Sequence, residues 1–467
     1  MRLVLEQERA TAEVARLDAA RTAPAPSSGE RPRSASGAWT GVAGVIAALG
    51  SAYLLRDWTQ SGVIKTLALL FATAAVMVVV DLLVYRVQRN AGREMTRQAQ
   101  RRLDWLRVAQ KLVAFWLTMG IIAALYALIP EYKNAFYAPF KAAALLLLPA
   151  ILVLSPFYIA YVDRRQDDPV DAYAQLGMLL GGNRPADWGP LQLHARGWLV
   201  KAFFIPLMFV YVHNDLALLW SSQPLMLDFQ RIFSRLYDLM FLLDVLLATV
   251  AYTLTLRVLD NHLRSVEPTI GGWVICVICY RPLSDAQAPY IQYELDKLYW
   301  GDLFAPYPLL YMLWGSGILL LVFIYVWSTA AFGLRFSNLT HRGIITHGPY
   351  RWSKHPAYLA KNLSWWMISV PFVAGSGWLI AIESCLMLGA VNLIYYLRAK
   401  SEERHLAADP AYRNYQDYIA RHGLFARWSG GSRSFSKRPV LRTSLGVQPK
   451  RWRNNRLKCE MSEKPQS

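Results

Sequence analysis

The chain has 467 residues, of which 54% are hydrophobic, 13% aromatic and 18% charged, and it carries a formal net charge of +18. Several nearly uncharged runs reach the about 20 residues that a bilayer crossing needs, which excludes an ordinary soluble domain. The positive charge collects between these runs and in the C-terminal tail, as the positive-inside rule places it, so nucleic acid is not the expected partner. Four cysteines cannot form a disulfide framework in a chain of this size.

Residues 1–37 are charged and rich in Ala, Pro and Ser. They read as a disordered cytoplasmic tail, without the apolar stretch of a signal peptide. Spans are predicted at 38–55, 66–85, 112–129 and 142–161. Between the second and third, a basic segment from Arg86 to Lys111 reads as a loop helix lying on anionic headgroups. Two less regular spans follow at 198–211 and 236–256. They contain Lys201, Asp238 and Asp244, and ionisable groups within spans usually face a bundle interior.

The apolar piece at 271–280 is too short to span unaided. A seventh span at 309–332 leads into the polar stretch 337–362. Seven crossings from a cytoplasmic N-terminus would put that stretch outside, whereas its basic residues put it inside. One segment is therefore miscounted, and the region from 198 to 308 is where the miscount is expected.

Residues 363–373 and 378–397 form two apolar legs around Ala374-Gly375-Ser376-Gly377, a hairpin that returns Arg398–His405 beside the polar stretch. Residues 406–428 read as a short amphipathic interfacial helix with Tyr412, Tyr415 and Tyr418. The fold class expected is all-α, a multi-pass bundle of about 8–10 membrane helices with a C-terminal hairpin and a cytoplasmic cofactor pocket. Four regions follow: a tail at 1–37, a membrane region at 38–308, a core at 309–428 and a basic disordered tail at 429–467.

The polar stretch has the marks of a ligand site, because irregular backbone beside lipid persists only in protein or along a cavity. Gly348-Pro349 signals a turn, His355 is pushed out of the helical region, and Pro356 suits the first position of a new helix. Tyr358 and Asn362 then fall on the side of His355, and the free N–H groups of the first turn make an anion site. A plain Pro-initiated membrane helix with snorkelling Lys354 and Lys361 has the same spacing. After the hairpin, Tyr395, Arg398 and Glu402 lie near one face. They point either into a pocket or, for Arg398 and Glu402, into an ion pair on a solvated helix end. Glu383, mid-span, and Glu403 are further pocket candidates. Cys276-x-x-Cys279 has no accompanying ligand pair, so no metal site is expected and both cysteines read as structural.

GPYRWSKHPAY, the hairpin, and RAKSEERHL followed by DPAYRNYQDY together resemble the isoprenylcysteine carboxyl methyltransferase family and its phospholipid N-methyltransferase relatives, over about residues 335–425. The resemblance implies a pocket for S-adenosyl-L-methionine. Arg342, Gly343, Ile344, Ile345, Tyr350, His355, Pro356, Ala357 and Tyr358 would contact this cofactor, Glu402 would hold it from the other side, and Arg398 would act as the catalytic residue facing the methyl acceptor. It also implies a lipid or lipid-linked acceptor with a carboxylate, thiol or amine headgroup, and an integral multi-pass location, the inner membrane if the host is a bacterium. Two other classes share features of the sequence. One is an NADPH-dependent reductase resembling the sterol reductases. The other is a transporter or scaffold with a polar path through Lys201, Asp238, Asp244 and Glu383.

Overall fold

In hydrocarbon every backbone N–H and C=O needs a partner within the protein, and a helix supplies it within one segment. The computed structural model follows that rule. It describes residues 31–96, 102–183, 187–221, 228–296, 298–373 and 375–426. The predicted tail 429–467 and residues 1–30 of the first tail lie outside these.

The principal helices begin with α1 (Ala38–Leu54), α2 (Gly62–Leu83), α3 (Trp105–Leu128), α4 (Ala138–Asp163) and α5 (Ala172–Leu180). Next come α6 (Gly189–Ser221), α7 (Phe229–Thr253), α8 (Ile270–Val277) and α9 (Trp300–Phe304). The chain ends with α10 (Pro308–Phe332), α11 (Pro356–Ser369), α12 (Trp378–Leu406) and α13 (Pro410–His422). Seven of them, α2, α3, α4, α6, α7, α10 and α12, are long and apolar enough to cross a membrane. The shorter α1 and α11 complete the all-α, multi-pass architecture. The one sheet among the described residues pairs β1 (Ser265–Val266) with β2 (Thr340–His341).

The predicted span at 198–211 is the middle of α6, a 33-residue helix. Isolated charges do not break a helix whose backbone is satisfied internally, and the Lys201 ammonium lies 4.5 Å from the Trp198 ring. Helix α6 runs antiparallel to α7, with Phe204 stacked on Tyr252 at 5.1 Å. The start of α1 meets the end of α10 at Gly41, where a Cβ would fall 1.9 Å from the Ala330 carbonyl oxygen. Only glycine permits that approach. The basic segment is less lipid-facing than its sequence indicates. Arg107 and Lys111 both reach the buried Asp163, at 2.8 and 3.0 Å.

Helices α7 and α10 run parallel. Phe229 meets Tyr311 at their starts, with ring centroids 5.6 Å apart. Tyr252 meets Phe336 at their ends, at 6.1 Å. Two consecutive parallel helices require the chain between them to return along their whole length, about 37 Å at 1.5 Å per residue. The two ends of that return are fixed. The β1–β2 pairing holds residue 265 beside the polar loop, while Trp300 stacks on Tyr311 at 4.7 Å and touches Phe233 at 4.8 Å. The crossing missing from the sequence count therefore runs through residues 267–299, as the short helix α8 and irregular backbone. Periodicity cannot show such a crossing, and protein on its sides satisfies its backbone. At the hairpin tip, the Ser376 N–H donates to Asp296 at 3.2 Å, which puts the tip at the end remote from the loop.

Ser353→Cys and Ser376→Cys should therefore react from opposite faces. In sealed cells an impermeant maleimide is expected to label residue 376 and spare residue 353. Equal labelling of both would contradict the parallel arrangement of α7 and α10.

Candidate active site

The polar loop between α10 and α11 is held from three sides. From below, the Arg342 guanidinium is buried and donates to Asn261 O at 2.7 Å, to Ala251 O and Phe336 O at 2.9 Å each, and to Leu254 O at 3.5 Å. Ala251 and Leu254 close α7, so Arg342 supplies donors to carbonyls that a helix C-terminus leaves open. Arg335 adds a second tie, donating to Arg342 O at 2.6 Å and pairing with the buried Asp260 at 3.1 Å.

From one side the loop is strapped by residues 32–35. Ala35 N–H donates to Ile344 O at 2.8 Å, Thr346 Oγ1 donates to Pro32 O at 2.7 Å, and Ser34 Oγ bonds His347 Nδ1 at 2.8 Å. The last residues of the predicted tail thus belong to the site. Polar composition alone hides this, because the partners are backbone groups 300 residues away. Gly343 accommodates the strap with a φ of +112°, and a Cβ there would lie 2.5 Å from the Ala35 Cβ. From the other side α13 covers the loop. Tyr412, Tyr415 and Ile419 pack on Ile344, Ile345 and Tyr350, and the Tyr415 hydroxyl bonds Tyr350 O at 2.6 Å. The apolar face predicted to lie on lipid faces the loop instead.

Beneath this cover is a cavity of about 170 Å³. Gly343, Ile344, Ile345, Tyr350 and His355 line it from the loop, Ala357 and Tyr358 from α11, and Arg398 and Glu402 from α12. Arg342 also borders it, but its guanidinium is engaged by the four carbonyls, so that side chain clamps the loop and is not free to hold a ligand. Pro356, Asn362, Glu383 and Glu403 are not in the lining. Pro356 starts α11 with its ring buried. At the next turn down α11 it is Lys361, not Asn362, that faces the cavity. Glu383 is exposed near the start of α12, 19 residues before Glu402 and so about 28 Å from it along the helix. Glu403 faces Lys354 at 2.6 Å and His355 at 3.2 Å, so it holds the wall from behind. Lys201, Asp238, Asp244 and Glu383 do not form one polar path, since Glu383 is exposed and Lys201 is on Trp198.

Arg398 is the centre of charge in the cavity. At 4% exposure it is not on a solvated helix end, although it does face Glu402 at 3.5 Å. Its Nη2 donates to Asn338 Oδ1 at 2.6 Å and to the Tyr280 hydroxyl at 3.3 Å. The guanidinium also faces the rings of Tyr358 and Tyr280 at 5.2 and 5.4 Å. Its buried Nε has no hydrogen-bond partner. The His355 and Tyr358 rings stack at 5.5 Å with a 4° interplanar angle, and the Tyr358 hydroxyl donates to Glu402.

Sequence reasoning missed the wall supplied by the crossing segment, which includes Glu267, Cys276 and Tyr280. Glu267 is buried, accepts from Thr269 N–H at 3.0 Å and faces His405 at 3.9 Å. Burial pulls the His341 imidazole down to about 4 against the pull of Asp409, leaving it neutral. Among the described residues no group of three or more His, Cys, Asp or Glu side chains could hold a metal ion.

Residues 310–408 match the isoprenylcysteine carboxyl methyltransferase (ICMT) family. The ICMT segment runs from the first turn of α10 to the end of α12, and it contains the loop, the hairpin and Arg398. No curated protein and no solved structure matches the chain. Glu267, Cys276 and Tyr280 lie outside the ICMT segment, as do the strap and α13, so the cavity is built from the segment and its surroundings together. The membrane helices make this a multi-pass membrane protein, and its residues 310–408 are similar to the ICMT family.

Arg342→Met should remove donors from four buried carbonyls at once. An unsatisfied buried group costs about 1–3 kcal/mol, so the variant is expected to lose at least about 3 kcal/mol, with Arg342→Lys recovering part of it. Thermal unfolding in detergent would measure this. Arg351→Ala is the control, because Arg351 is exposed and lies over the Trp352 ring.

Proposed function

We propose that this chain is an integral membrane methyltransferase that takes its methyl group from S-adenosylmethionine and delivers it to a lipophilic acceptor. S-adenosylmethionine supplies an electrophilic methyl group on a sulfonium cation. Displacement at that carbon asks the protein chiefly for positioning and exclusion of water. The observation that carries the reading is the chemistry facing the cavity. It consists of the stacked faces of His355 and Tyr358, the Glu402 carboxylate and the buried Arg398 guanidinium, all on the ICMT segment.

Each residue type suits the role. The faces of His355 and Tyr358 favour a cation, and Glu402 and Glu267 can accept from ribose hydroxyls or an ammonium. Arg398, held by Asn338, Tyr280 and Glu402, orients the acceptor or the groups around it. At about 170 Å³ the cavity is below the about 300 Å³ at which ligand pockets usually begin. Binding therefore displaces lining side chains, and the partly exposed Glu402 and Lys354 have room to move. Residues 38–308 serve this core as a membrane scaffold that also completes the pocket wall.

NADPH fits less well. A dinucleotide phosphate wants free basic side chains, but Arg335 faces Asp260, Lys354 faces Glu403, and Arg342 is engaged by carbonyls.

Calorimetric titration of the purified chain should show binding of S-adenosylhomocysteine and none of NADPH; the reverse result would sink the reading. Glu402→Gln should weaken S-adenosylhomocysteine binding about tenfold, the about 1.4 kcal/mol of a hydrogen bond to a charged group. Arg398→Lys should change that affinity by less than about twofold and lower turnover by at least about tenfold, as loss of planar alignment would. Near-normal turnover in both variants would return the pair to a purely structural role.

A further inference from the structure

A second and larger cavity, of about 430 Å³, lies between α6, α7 and α10. It shares five wall residues with the candidate active site: Tyr280, Tyr325, Phe336, Asn338 and Lys361. The two chambers are thus separated by one layer of side chains, the layer that Arg398 bonds through Asn338 and Tyr280. Three carboxylates line the second chamber, Asp215 from α6 and Asp238 and Asp244 from α7. Asp244 is saturated, accepting from the Tyr325 and Thr329 hydroxyls at 2.5 Å each. Asp215 and Asp238 line the same space, and neither makes a hydrogen bond or an ion pair with any described residue.

Charged groups within spans are costly and are normally paired, and those left open mark substrate paths. Apart from Asn338 and Lys361, the rest of the described lining is apolar or aromatic, with Met208, Leu218 and Phe241 among it. Lys361, the single cation among the described lining residues, turns its ammonium toward the rings of Tyr325, Trp365 and Tyr395 at 5.2–5.7 Å.

From this we propose that the second chamber is the acceptor site, and that it takes an amine on an apolar body, bound as its ammonium. The proposal rests on the methyltransferase reading for its purpose but not for its chemistry. Two open carboxylates with aromatic faces attract an ammonium and repel a carboxylate or a phosphate, so neither a fatty acid nor a phospholipid headgroup suits the site. The carboxylates also serve the proton. An ammonium nitrogen has no free electron pair, and transfer of one proton to Asp215 or Asp238 converts R–NH3+ and –COO− into R–NH2 and –COOH. The chamber that holds the free amine shares its Tyr280 and Asn338 wall with the ICMT cavity.

The test uses the purified full chain in phosphatidylcholine nanodiscs without any methyl donor. Radiolabelled dodecylamine is expected to bind saturably by scintillation proximity. Dodecanoate and phosphatidylethanolamine should fail to compete. Asp215→Asn with Asp238→Asn should weaken dodecylamine binding at least about tenfold, while S-adenosylhomocysteine affinity, measured on the same preparation, stays within about twofold and reports an intact fold. Val245→Phe, which fills the chamber without touching a charge, should weaken dodecylamine binding equally. Absence of saturable binding over empty nanodiscs, equal competition by dodecanoate, or unchanged affinity in the double variant would overturn the proposal. If dodecylamine binds as expected but S-adenosylhomocysteine does not, the chamber stands and the methyltransferase reading falls.

Discussion

The Arg342 guanidinium is the interaction on which the site depends. One buried cation closes the C-terminus of α7, the turn at Asn261 and the start of the polar loop. A buried charge is tolerable only when its donors are satisfied, and here four carbonyls from three separate segments do so. The loop therefore cannot take its place unless α7 and the turn after it are already formed. This couples the ICMT segment to helices that carry no part of the family match.

The parallel course of α7 and α10 has a second consequence. The chain must return along the bundle between them, and that return places Glu267, Cys276 and Tyr280 against α12. The N-terminal region is thus part of the pocket wall rather than an appendage to it. The loop is further enclosed by the strap at 32–35 and by α13. Enclosure of this kind keeps water from most of the Arg398 guanidinium, which strengthens the electrostatic interactions it makes.

Arg398 joins the two cavities electrostatically. Its contacts run to Glu402 on one side and to Asn338 and Tyr280 on the other, and the last two residues belong to both linings. The i,i+4 pair with Glu402 and the pocket role, which look like alternatives in the sequence, coexist once the helix end is buried. Burial, not spacing, decides between a solvated pair worth tenths of a kcal/mol and a pair that organises a site.

The sequence by itself determined the all-α membrane class, the location of the spans though not the full length of α3, α6 and α7, the hairpin, and the ICMT resemblance. Hydropathy and Gly/Pro punctuation are local signals, and they survive in a single chain read end to end. It also showed that the span count and the charge disagree, so that one segment between 198 and 308 is miscounted. Tertiary structure alone decided where the missing crossing runs, because irregular backbone buried in protein has no period. It also decided that Arg342 clamps carbonyls instead of facing a ligand, that Glu383 stays outside, and that Glu267 and Tyr280 come in. Arg342 meets carbonyls 81 to 91 residues away and Tyr280 meets Arg398 at a separation of 118 residues, and side-chain type carries no record of which distant backbone group will need a donor.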